Sequence, residues 1–249
     1  MDQAVLTISW YGLAYAAAPT LLVLGVLWQW KAGAGTATYA TARMLAQLFL
    51  IGYVLVYIFN AGEPSIVLAV LAGMLLVASW ISIRPLADKT PRVYGRALIA
   101  IAVPGVLVLM LVSQVVIGID PWFTPRYLVP LAGMVFSGAM NAVSLAGERA
   151  MAEAERGTPY EETRRIALQA ALIPITNSLF AVGLVALPGM MTGQILSGVS
   201  PLVAAKYQIV VMLMLFGVSG LSAATFIVLH RGSLEGIGLQ PELICSYLP

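Results

Sequence analysis

Acidic side chains are absent from every long apolar run of this chain. All eleven Asp and Glu residues, from Asp2 to Glu242, fall in polar connections, at the ends or at the edges of runs. Proton relays at bilayer depth use Asp, Glu or His, so a proton-driven carrier is disfavoured. Cysteine occurs once, as Cys245, which excludes an intrachain disulfide and a thiolate metal cluster. Histidine also occurs once, as His230. Charged residues make up 10% of the chain, against about 25% in soluble domains. The net charge of +2, with no long Lys/Arg run, gives no footprint for nucleic acid. There is no G-x-x-x-x-G-K-[ST], so the chain binds no ATP by a P-loop of its own. There is also no H-E-x-x-H and no pair of aspartates within an apolar run.

What remains is apolar: 60% of the residues are hydrophobic and the mean hydropathy is +0.93. A spanning helix needs about 20 apolar residues. Runs between polar breaks predict seven, near Leu6–Trp28, Thr41–Phe59, Ser65–Ile83, Ala97–Gly118, Tyr127–Gly147, Ala170–Leu187 and Tyr207–Leu229. The fold class is therefore all-α, a polytopic integral membrane protein. Residues 1–230 read as one transmembrane domain, and 231–249 as a peripheral tail without periodicity, a candidate for disorder. The first run lacks a basic leader and a small-residue cleavage site, so it reads as retained.

Positive charge sorts the connections. Lys31, Arg43, Arg84, Lys89, Arg92, Arg96, Arg149, Arg156, Arg164, Arg165 and Arg231 fall at one set of alternate ends, and only Arg126 and Lys206 at the other. The positive-inside rule makes the first set cytoplasmic, with the N-terminus outside and the C-terminus inside.

The longest polar insert, within 148–169, reads as a helical hairpin. Gly157 suits the position just past the incoming helix, and Thr158, Pro159 and Glu161 suit the cap, first and third positions of a Thr-x-x-Glu capping box. A charged, capped hairpin is suited to docking a soluble partner, and an ordinary connection is the alternative. Pro188, Gly189 and Gly193 predict a break of the sixth span, re-entrant or merely kinked, near 188–200. The polar groups within the spans are amides and hydroxyls, with Asn141 and Asn177 foremost. They serve as helix-to-helix bonds or as contacts along a path. Met134, Met140, Met190 and Met191 accompany them, as gap fillers or as soft contacts to a metal. Gly217-Val218-Ser219-Gly220 matches a serine-protease string, but eleven residues of helix put Ser219 about 16 Å from His230, so no catalytic pair forms.

The strings Pro125-Arg126-Tyr127, Met140-Asn141, Glu148-Arg149, Pro174-Ile175-Thr176-Asn177-Ser178 and above all Pro188-Gly189-Met190-Met191-Thr192-Gly193-Gln194 resemble the FetB-type ABC transporter permeases. That family includes bacterial iron exporters and plant aluminium-tolerance proteins. The resemblance implies a non-enzymatic permease homodimer in the bacterial inner membrane, served by a separate ABC ATPase subunit that binds the ATP. It implies coupling through Glu148, Arg149, Glu153, Arg156, Gly157, Thr158 and Glu161. The expected path carries Gln47, Met134, Met140, Asn141, Asn177, Met190, Met191 and Gln194 past a metal ion or chelate that is nowhere tightly bound. A channel or facilitator working without ATP is the competing reading, and an intramembrane enzyme a weaker third.

Overall fold

The computed structural model describes residues 9–60 and 63–238, and Asp2, Leu6, Glu242 and Cys245 lie outside them. The chain divides into two compact units, Met1–Ala61 and Gly62–Pro249. Among the described residues helices are the regular secondary structure, with one isolated bridge, Val182 to Ala186.

The first unit is a pair of helices, α1 (Trp10–Gln29) and α2 (Ala34–Asn60). Ser9 caps α1, its hydroxyl accepting from the Gly12 amide at 3.1 Å. The tight turn uses positive φ at Lys31 and Gly33. Trp10 stacks on Phe49 across the pair, with centroids 6.2 Å apart.

The second unit holds α3 (Pro64–Ser82), α4 (Pro91–Met110), α5 (Pro125–Glu155), α6 (Tyr160–Ala181), α7 (Gly189–Leu196), α8 (Pro201–Leu229) and α9 (Arg231–Gly238). Four of these helices begin on proline, where the missing N–H costs nothing and the fixed φ suits the first turn. A π-helical stretch, Leu111–Ile117, prolongs α4 and ends at Gly118, whose φ of 70° is left-handed.

Helix α5 sits at the centre, packed against α3, α4, α6, α8 and α9. Its sequence explains why. Gly138, Ala142, Ala146, Ala150 and Ala154 recur every fourth residue, a small-residue stripe that lets helices approach closely in a bilayer. Its buried alanines meet Ala167 and Ala171 of α6, and Ala223 of α8. Gly147 marks another close approach: a Cβ there would lie 2.9 Å from Phe226 Cε1 and 3.0 Å from Leu86 Cδ2. Ser219, from the protease-like string, is a packing residue whose hydroxyl lies 3.5 Å from the Gly138 carbonyl.

Among the described residues five helices are long and apolar enough to cross a membrane: α1, α3, α4 with its continuation, α5 and α8. They carry the predicted first, third, fourth, fifth and seventh spans. The predicted second and sixth fall on α2 and α6, outside that set. In α6 the opening turns carry Glu161, Glu162, Arg164 and Arg165, which leaves too short an apolar stretch before Ala181.

The break in the sixth span comes earlier than Pro188. Helix α6 stops at Ala181, and Gly183 turns left-handed at φ 82°. The Ala181 carbonyl accepts from the amides of Leu184, Val185 and Ala186, and the Gly183 amide returns to the Ala186 carbonyl at 3.0 Å. This closed loop satisfies backbone groups that a broken helix releases. Pro188 and Gly189 then start α7, and Gly193 is a regular residue inside it. The start of the expected tail is also ordered differently: 231–238 form α9 because Leu234 is buried in the alanine-rich core. Residues 239–249 lie outside the described residues.

Candidate functional site

The α5–α6 hairpin is organised by one carboxylate. Glu153 lies on the last turn of α5 with its side chain 7% exposed. Arg149 Nη2 reaches its Oε1 at 2.7 Å, Arg156 Nη1 reaches the same oxygen at 3.0 Å, and the Thr158 hydroxyl donates to Oε2 at 3.0 Å. Three donors on one buried carboxylate fix the last turn and the bend as a unit.

The bend itself is a Schellman motif. Gly157 has φ 77°, its amide donates to the Ala154 carbonyl at 3.0 Å, and the Thr158 amide donates to the Glu153 carbonyl at 3.1 Å. The predicted capping box does not form. Pro159, not Thr158, is the cap of α6, because the Thr158 hydroxyl is taken by Glu153 across the turn. Glu161 pairs instead with Arg164, and Glu162 with Arg165 at 3.2 Å, both in solvent. Glu148 is exposed on α5.

Beside the hairpin lies a contact set the sequence reading missed. Arg231 stands 4.9 Å over the Tyr160 ring and pairs with Glu235 at 2.8 Å. Arg96 of α4 donates to the Ser233 hydroxyl at 2.8 Å and lies 3.4 Å from His230 Nδ1. His230 stacks on Phe226 with centroids 5.1 Å apart. Burial pushes the His230 pKa down from its ordinary value, helped by Arg96 and opposed by Asp88. The neutral ring is therefore part of the fold, and its contribution is complete above the unfolded value of about 6.5. That contribution is lost as pH falls from there through the folded value. Thermal stability should accordingly decline below about pH 6.5, and His230→Phe, which keeps the stack, should flatten that decline. An unchanged slope in the variant would show that other groups set it.

The path residues are partly gathered. Met134, Asn141, Ser137 and Ser178 line a groove of about 260 Å³ between α5, α6 and α8, together with Ser219 and Pro174. Asn177 is exposed on α6 and lies outside that groove. Met140 is half-buried elsewhere on α5. Met191 lines a second cavity of about 340 Å³ with Gly183, Gln208 and Met212. Met190 is exposed on α7. Gln194 is half-buried, and its amide oxygen, like that of Gln208, has no partner among the described residues. Gln47 stands in the first unit, where its amide oxygen, suitably turned, accepts from Arg43 Nε at 3.1 Å. Among the described residues no three His, Cys, Asp or Glu side chains cluster as metal ligands. Ser137 and Ser178 belong to the hydroxyls expected within the spans, four residues from Asn141 and one from Asn177.

Comparison with known proteins places this architecture. The model of the Uncharacterised protein family (UPF0014) matches residues 10–163 and 154–234. A UPF0014 membrane protein of Synechocystis is 34% identical over 239 residues, covering 89% of this chain and 92% of its own. The Escherichia coli K12 protein named "Probable iron export permease protein FetB" is 34% identical over 199 residues, 74% of this chain and 75% of its own. Protein ALUMINUM SENSITIVE 3 of Arabidopsis thaliana is 30% identical over 229 residues, 84% of this chain and 82% of its own. No solved structure matches. A family model spanning nearly all the described residues, relatives aligned over most of their length and a helical bundle of membrane-crossing length agree: the chain belongs to the UPF0014 family of membrane permeases, which includes FetB.

Proposed function

We propose that this chain is the membrane-spanning subunit of an ATP-driven ABC exporter, moving a metal ion, iron in the first instance, or its chelate out of the cytoplasm. The observation that carries this reading is the Glu153-centred hairpin. It is a rigid, capped projection at the end of the second unit that also bears Arg84, Lys89, Arg156, Arg164 and Arg231. That end is cytoplasmic by the positive-inside rule, where a separate ATPase subunit binds ATP and pushes on the bend. Glu148, Arg149, Arg156 and Glu161 present the charges that partner meets. The name carried by the Escherichia coli relative supplies the cargo and the direction.

A second copy of the chain completes the path. Val182 and Gly183 line a cavity with Gln208, Met212 and Leu213, and these stand about 10–18 Å along α8 from its start. Irregular backbone at such depth is tolerated only against protein or water. Yet Leu184 and Val185 of that loop are 89% and 86% exposed within one chain. A partner copy covers them and closes the groove of Met134, Ser137, Asn141 and Ser178. Neutral oxygens and a thioether there make passing contacts, which suits an ion that must leave again. Iron prefers oxygen and nitrogen donors, and the amide of Asn141 is the strongest oxygen donor in the groove.

The test is copurification followed by transport. The tagged chain should capture a P-loop ATPase from its own cells, and inverted vesicles holding both should accumulate iron only with ATP. Asn141→Ala should lower that accumulation by about tenfold, the equivalent of one charge-assisted contact. Capture of no ATPase, together with accumulation indifferent to ATP, would replace this reading with that of a facilitator.

A further inference from the structure

We infer that the crevice between α3, α4 and α5 binds one acyl chain of a membrane phospholipid, drawn from the leaflet at the Trp122 end. The crevice holds about 550 Å³, within the range of small-molecule sites. Its walls are Leu71, Leu75, Val106 and Leu109, and its polar groups are confined to Ser113, Gln114 and the Trp122 indole. Those three lie together at one end, where the Gln114 amide is already spent on the Ser113 hydroxyl at 3.1 Å. The crevice therefore offers a long apolar slot with a small polar lip, the polarity of a lipid tail below its headgroup.

Its length fits the same occupant. Along α5 the lining runs from Leu128 to Phe136, about 12 Å at the rise of a helix. Half of a hydrocarbon core is about 15 Å, so the slot starts at the interface and closes near the bilayer centre on buried Phe136. The π-helical turn Leu111–Ile117 carries Ser113 and Gln114 at the lip, and such widened turns recur at functional sites. Trp122 is 45% exposed, as an interfacial tryptophan should be. Arg126, exposed on the first turn of α5, is one of the two basic residues, with Lys206, that charge sorting assigns to this side of the membrane. It supplies the cation that a headgroup phosphate requires, while Asp120 precedes the same loop and favours a headgroup that also carries an ammonium.

The experiment uses the full chain in detergent with phosphatidylethanolamine as the probe, read by native mass spectrometry. The wild-type chain should retain one lipid under activation that strips the rest. Ala72→Trp, which fills the slot, should lower the retained fraction by about tenfold, and Leu107→Trp, on an exposed face of α4 outside the crevice, should leave it unchanged. A second readout does not depend on how Ala72→Trp folds. With Trp10, Trp28, Trp30 and Trp80 changed to Phe, phosphatidylethanolamine brominated in the upper half of one chain should quench Trp122. Unlabelled phosphatidylethanolamine should then displace it far more slowly than bulk lipid exchanges. Equal retention in both tryptophan variants, or quenching reversed at the bulk rate, would overturn the proposal and leave the crevice to protein or to passing solvent lipid.

Discussion

Replacing Glu153 by alanine is expected to free the hairpin without unfolding the bundle. The substitution removes the one acceptor shared by Arg149, Arg156 and Thr158. Breaking a buried pair on one side costs about 3–5 kcal/mol, but the partner side chains are 39% and 65% exposed and water recovers much of it. A net cost of about 2 kcal/mol raises the opened fraction of the bend about 30-fold. Tryptic cleavage at Arg156 reads that fraction directly, because proteolysis follows the open population when reclosing is fast. Under the proposed function, ATP-dependent export should fall by at least the same order, while the amount of inserted protein stays constant. Glu153→Gln, which keeps one oxygen for Thr158, should show a smaller rise. Arg156→Ala, removing an exposed partner, should change cleavage elsewhere in the bend by less than about threefold. An unaltered cleavage rate in Glu153→Ala would show that the Schellman turn alone holds the bend.

Gly147→Leu should have the opposite signature, with little folded protein recovered at all. Even a methyl at this position meets Phe226 at 2.9 Å and Leu86 at 3.0 Å. Both neighbours are buried side-chain ends, so Gly147→Ala is absorbed by small rotations at about 1–3 kcal/mol, the usual cost of overpacking. A leucine needs room that only separation of α5 from α8 provides. That separation opens the alanine packing of α5 against Ala223 of α8 and disturbs the Phe226–His230 stack. Size-exclusion profiles of the detergent extract should show a lowered melting temperature for the alanine variant and loss of the monodisperse peak for the leucine variant. A leucine variant of normal yield would mean that the two helices are not held as closely as described.

Much of this architecture was readable because membrane spans obey strong, simple constraints. Apolar runs placed a helix at each predicted span, but ends of α2, α4, α5, α6 and α8 moved by six to ten residues, and proline at the first position set four of the starts. The sorting of Arg84, Arg149, Arg164 and Arg231 to one end agrees with the way Leu86, Gly147 and Phe226 meet near that end. Gly157 was legible for the same reason, since few residues take φ 77° at a helix end. The features that escaped depend on distant partners. Thr158 has every local mark of a cap, yet a carboxylate five positions earlier claims its hydroxyl. Proline drew attention to 188, whereas the helix had already ended beside Gly183, an ordinary glycine until its φ is seen. Leu234 gave no periodic signal in so short a helix, and only the alanine pocket that receives it makes it structural. In the groove, Asn141 could be named from its rarity in apolar sequence, but Ser137 and Ser178 became neighbours only through the packing of α5 on α6.

Helix α9 closes a mechanical circuit. Arg231 grips Tyr160 at the start of α6, Leu234 sits among the alanines of α5 and α6, and Ser233 holds Arg96 at the foot of α4. Because α9 follows α8 with only His230 between them, four helices share one rigid corner. Under the proposed coupling, a load applied at the bend by Thr158 would reach α4 and α8 as torque about that corner, in place of a local deflection of the loop.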